Sequence, residues 1–132
     1  MNETYGGEMP RIGKSLLLLV LLALSAPCWA AGADEDLDAI ESLRAAGADL
    51  TQPQWLEFVF HFDDVERAQK AWNSLAGEGF RGGIKPAGGG KDYLVFARKL
   101  MLVEPGALAH LREHFEALAQ ANGGTYEGWG VP

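Results

Sequence analysis

Two imidazoles one helical turn apart, with a carboxylate between them, are the sharpest chemical signal in the sequence. His110-Leu-Arg-Glu-His114 matches the His-x-x-Glu-His pattern of zinc enzymes. His110 and His114 would share the metal and Glu113 would act as the base. Glu116 and Glu127 are the nearby acidic candidates for a third ligand. Such a site would make the chain a small zinc-binding or hydrolytic protein. The helical wheel argues against it. At about 100° per residue, His114 flanks the apolar stripe of its helix while His110 and Glu113 turn toward solvent. A solvated helix face is therefore expected, with no metal and no cofactor.

Other chemical signals reduce to structure in the same way. Gly88-Gly-Gly-Lys91 has a superficial likeness to a phosphate loop, but it lacks the four-residue spacer, and Asp92 stands where Ser or Thr would hold magnesium. It lies between two expected strands, so it reads as a hairpin loop. Asp63 and Asp64 look like a carboxylate pair, but their place before a helix makes Asp63 a cap and Glu66 the third position of a capping box. No Ser-His-Asp arrangement can be assigned. The expectation is a domain without catalysis.

The elements that must position these residues follow from periodicity. After an acidic start expected to fray, Asp38 to Ala46 reads as a short helix with Ile40 and Leu43 on one side. Trp55 to Phe62 is the clearest strand. Leu56, Phe58, Phe60 and Phe62 alternate onto a core face, and Trp55, Glu57, Val59 and His61 take the other. A helix follows with Val65, Ala68, Trp72 and Leu75 as its buried stripe. Phe80 to Pro86 is a weaker strand. Tyr93 to Val103 is a longer one, in which Arg98 shares a face with Leu94, Phe96, Leu100 and Leu102, so a bulge or strand end is expected near it. Pro105 opens a second long helix striped by Leu108, Leu111, Phe115 and Leu118. It stops at Gly123-Gly124, and Thr125 to Val131 forms an aromatic last strand.

The order β-α-β-β-α-β behind a short leading helix predicts an α+β fold, a ferredoxin-like two-layer sandwich. Two helices would cover one sheet face, and the other would be open or covered only by the leading segment. Strand alternation puts Tyr126 and Trp129 on opposite faces unless a bulge intervenes, so one would fill the core under Phe115 and the other lie on the open sheet. Trp55, Val59, His61, Tyr126, Glu127 and Trp129 are then the candidate partner-binding residues, with Gly123, Gly124 and Gly128 as structural positions.

Charge and export bound the partner. The chain has 132 residues and a net charge of −7. Arg11 and Lys14 precede the apolar run Ser15–Leu24, and small residues at Cys28 and Ala30 complete a secretory signal peptide over residues 1–30, cut after Ala30. An uncleaved inner-membrane anchor and a lipoprotein signal at Cys28 are the alternatives. In each case the domain is exported, periplasmic or secreted, and membrane contact is limited to the leader. The leader holds Arg11, Lys14, Glu3 and Glu8, so its removal leaves the net charge at −7 and takes the only cysteine with it. Thiol catalysis and cysteine–zinc sites are thereby excluded from the mature chain. An acidic surface disfavours nucleic acid. It suits a basic protein partner, or solubility alone. The layout is a leader, an acidic segment with a short helix over 31–54, and a domain over 55–132.

Ala117-Leu-Ala-Gln-Ala-Asn-Gly-Gly-Thr-Tyr-Glu-Gly-Trp129 resembles the C-terminal signature of the regulator of ribonuclease activity B family, in which a helix ends in an alanine-containing turn, then Gly-Gly, then Tyr-Asp-Gly-Trp. Leu43-Arg-Ala-Ala-Gly-Ala-Asp-Leu50 is similar to it as well. So are Phe60-His-Phe-Asp-Asp64, the helix holding Ala68 and Ala71, and Gly79-Phe80 after it. The likeness runs from about Leu37 to Trp129. It implies the same α+β sandwich, and a non-catalytic protein like the founding member, which binds and inhibits ribonuclease E. Glu127 departs from the usual Asp. The leader departs more seriously, since ribonuclease E works in the cytoplasm; the resemblance implies a protein partner of unknown identity rather than that enzyme.

Overall fold

The computed structural model describes residues 30–132. The leader up to residue 29, with Arg11, Lys14 and Cys28, lies outside them, and only its last residue, Ala30, is described. Helix α1 spans Ala33–Ala45, β1 Gln54–Phe62, α2 Val65–Gly77, β2 Arg81–Ala87, β3 Asp92–Met101, α3 Pro105–Ala121 and β4 Thr125–Gly130. A 3-10 turn, Gly88–Gly90, closes the β2–β3 hairpin, where Ala87 pairs with Asp92. The four strands run antiparallel in the order β2-β3-β1-β4. This is the expected ferredoxin-like sandwich. Among the described residues no helix is long and apolar enough to cross a membrane.

β1 is central because its alternation loads one face with rings. Leu56, Phe58, Phe60 and Phe62 are all at most 1% exposed. They meet Ala68, Ala71 and Leu75 of α2 and Leu108, Phe115 and Ala119 of α3 in one core cluster. The α2 stripe differs from expectation at its start. Val65 is exposed because it occupies the first helical turn, and Ala71 is buried in the core instead. The cap also moves by one residue. Asp64, with an extended backbone, accepts from the Arg67 amide at 3.0 Å, whereas Asp63 lies 3.7 Å from the Arg67 guanidinium at the surface.

Two further expectations are corrected. Helix α1 begins five residues earlier than the pattern suggested: Asp34, Glu35 and Asp36 fill its first turn, where carboxylates complement the positive helix end. In β3 the pairing to β1 runs unbroken past Arg98 to Met101, and the pairing to β2 ends at Arg98 without a bulge. Its side chains divide as the alternation placed them, with Leu94, Phe96 and Leu100 on one face with Arg98, but that face is the one away from the core, which Val95 and Ala97 fill. The bulge lies instead in β4. Val59 pairs with Gly128 and Phe60 with Tyr126, leaving Glu127 as the extra residue.

The α3–β4 connection explains its two glycines. Gly123 takes φ +73°, and the Gly124 amide donates to the Ala119 carbonyl at 2.8 Å, closing the helix in a Schellman turn. A Cβ on Gly124 would stand 2.4 Å from the Phe62 ring and 2.5 Å from the His61 carbonyl oxygen. Both neighbours belong to the central strand and cannot retreat. Gly124→Ala is expected to lower stability by about 1–3 kcal/mol through overpacking, measured as a shift in the urea midpoint at unchanged slope.

Candidate functional site

Three places hold the residues that the sequence singled out: the face of α3, the α1–α3–β4 corner and the sheet face away from the helices. On α3, His110 and Glu113 are exposed. His114 Nε2 sits 2.9 Å and 3.0 Å from the two carboxylate oxygens of Glu78, just past the end of α2. This contact joins neighbouring helices across their solvent side. Among the described residues no three His, Cys, Asp or Glu side chains come together in a way that could hold a metal.

The corner is built around a residue that sequence reasoning missed. Asp36 of α1 is 2% exposed and accepts from two sides. Trp129 Nε1–H donates to Oδ1 at 2.8 Å, and the Arg112 guanidinium from α3 donates to Oδ2. Ala30 pairs with Trp129 in both directions, its amide donating at 2.8 Å and its carbonyl accepting at 3.0 Å, so the chain before α1 lies along the outer edge of β4. The β4 bulge sets this arrangement. With Glu127 unmatched, Tyr126 and Trp129 fall on the same, helix-facing side rather than on opposite ones. Trp129 is 3% exposed, and Tyr126 packs 5.2 Å from Phe60 and 5.4 Å from Phe115 between ring centroids. Neither ring lies on the open sheet, so one of the two places expected for a binding aromatic does not exist. Glu127 is exposed at the edge and accepts from the Thr125 hydroxyl at 2.7 Å.

Burial pushes the Tyr126 phenol well above its ordinary value of 10.0, with the Asp36 carboxylate adding to the effect and Arg112 opposing it. The sign of the consequence is fixed. The neutral phenol is favoured in the folded state, so its contribution is fully present below about pH 10 and is lost as pH rises from there toward the folded-state value. Stability is expected to fall by up to about 1.4 kcal/mol per pH unit in that window. Tyr126→Phe should flatten this part of an alkaline denaturation profile, leaving only the background from other groups.

The sheet face away from the helices carries Trp55, Glu57, Val59 and His61 from β1. Opposite them on β3, in register, stand Leu100, Arg98, Phe96 and Leu94. β2 adds Arg81, Gly83 and Lys85. Trp55 and Leu100 are exposed at 44% and 51%. His61 is half-buried, 3.3 Å from Asp92. Val59 is buried, which corrects its reading as an exposed contact: it sits mid-face on a central strand, directly opposite Phe96. Glu57 is 8% exposed and accepts from Arg98 Nε at 2.8 Å. That pair explains the charged residue in the apolar alternation of β3. Lys85 lies 5.4 Å over the Phe96 ring and Arg81 6.0 Å from Trp55. No described helix packs on this face.

The chain is a two-layer α+β domain of ferredoxin-like topology with no described helix over one sheet face, an architecture that many unrelated functions share. Here the comparison of sequences is specific. The profile of regulator of ribonuclease activity B matches residues 33–131, about three quarters of the chain, and the protein belongs to that family of regulators. The match takes in α1 as well as the sheet. Comparison with individually characterised proteins finds no match.

Proposed function

We propose that this protein is a non-enzymatic regulator that binds another protein through the sheet face bearing Trp55 and His61, with Glu127 at its edge. The observation that carries the reading is the exposed pair Trp55 and Leu100, directly opposite each other on β1 and β3 with no described element over them. Large apolar side chains clustered on an otherwise charged surface are the usual centre of a protein contact. Membership of a regulator family supports the same reading. Tyr126 and Trp129 serve it indirectly by fastening β4 and α1.

The leader-like residues 1–30 support export to the periplasm or beyond. An exported copy meets a partner other than ribonuclease E. The test combines N-terminal sequencing of protein from the envelope fraction with affinity capture there by the wild type and by Trp55→Ala/Leu100→Ser. Loss of a captured protein in a variant that keeps the wild-type melting temperature is expected. Equal capture by both would remove this face from the proposal, and recovery of the intact leader in the cytoplasm would remove export.

A further inference from the structure

The charges on that face run opposite to those of the chain. The chain is at −7 overall. Carboxylates crowd the helix layer, with Asp34, Glu35 and Asp38 on α1 and Glu113 and Glu116 on α3. The β2–β3 half of the sheet face is cationic: Arg81, Lys85 and Arg98 share one side, and only Glu57 stands among them. Asp92 lies on the same face at the hairpin end, paired with His61, and Glu127 lies across the sheet on β4.

Arg81 and Arg98 are direct cross-strand partners. Like charges in that relation destabilise a sheet. Glu57 compensates Arg98, but among the described residues no carboxylate pairs with Arg81 or Lys85. Arg81 and Lys85 are thus the cations of this corner that an incoming carboxylate would engage, beside an Arg98 that Glu57 already holds. Next to them stand the exposed apolar side chains Trp55 and Leu100.

Building on the protein-binding reading, we propose that this corner of the sheet takes an acidic segment of the partner. Carboxylates of that segment meet Arg81, Arg98 and Lys85, and a large apolar side chain next to them lies on Trp55 and Leu100. A polypeptide fits better than a nucleic acid. The Phe96 ring lies under Lys85, which leaves Trp55 as the one large ring exposed on this face, whereas a single strand stacks its bases on successive rings. The negative field of the whole chain also opposes a polyphosphate. For a short acidic segment that field acts only at long range: beyond about 8 Å it is screened at physiological salt, while contact charges are not.

Binding to the full chain can be followed by amide chemical shifts with three probes. One is a synthetic peptide alternating glutamate with leucine and phenylalanine. The second is its copy with lysine for every glutamate, and the third is heparin. The expected result is binding of the acidic peptide, with shifts centred on Trp55, Arg81 to Lys85 and Phe96 to Leu100. Arg81→Glu/Lys85→Glu should weaken it at least about tenfold. Arg81→Gln/Lys85→Gln gives a smaller loss and guards against misfolding of the first variant. Preference for the lysine peptide overturns the acidic partner while leaving protein binding intact. Heparin binding as tightly as the acidic peptide overturns the polypeptide specificity. If neither peptide binds yet Trp55-dependent capture from the envelope persists, the acidic-segment inference alone fails; if both are absent, the protein-binding reading fails with it.

Discussion

Arg112→Ala is expected to cost about 3–5 kcal/mol, the penalty of stranding a buried charge, and so a large part of the roughly 5–15 kcal/mol that holds a domain of this size together. Asp36 is out of water, and its two partners are Arg112 and the Trp129 indole. Removing the guanidinium leaves a carboxylate with one neutral donor. α1 is poorly equipped to stay docked without it, because Ile40 is its only fully buried apolar side chain. The loss should appear first as release of α1, seen as faster hydrogen exchange across Ala33–Ala45 and a red shift of Trp129 fluorescence. Asp36→Leu/Arg112→Leu removes both charges together and should recover much of the loss. A single variant within about 0.5 kcal/mol of wild type would show that solvent reaches Asp36 and that the contact is a surface pair.

Phe115→Ala should cost a similar amount, about 3–5 kcal/mol, by a different route. Phe115 is fully buried where both layers meet, its ring centroid 4.9 Å from Phe58, 5.2 Å from Phe60, 5.6 Å from Phe80 and 5.4 Å from Tyr126. These rings come from β1, the residue before β2, and β4, so the cavity opens between elements that cannot close together without moving the sheet. Phe115→Leu should lose less, since it refills part of the volume. Equilibrium urea unfolding of the two variants gives the ordering, and equal losses would mean that the site collapses freely around either side chain.

Much of this was legible in the sequence. The phenylalanine alternation of β1, the 3-4-3 stripe of α3 and the double glycine after it each obey a local rule, and each stands where the pattern put it. What was hidden is long-range. Asp36 lies in a run of acids that reads as solvated, and its role depends on Arg112 and Trp129, 76 and 93 residues away in the chain. The Arg98 anomaly was visible, but its resolution was not. A charged residue in an apolar alternation signals either a break or a face that is not the core, and only the pairing with Glu57 decides between them. The sides taken by Tyr126 and Trp129 hinged on the unmatched Glu127, which no residue type announces.

That unmatched residue gives β4 a length requirement distinct from its chemistry. Strand side chains alternate, so dropping one residue between Tyr126 and Trp129 would reverse the parity of everything after it. The indole would turn away from α1 and toward the bare side of the sheet. The spacing is therefore the constrained quantity, and the identity of position 127 is not: aspartate or lysine there leaves the count intact, while a deletion would unfasten the first helix and the last strand in one stroke.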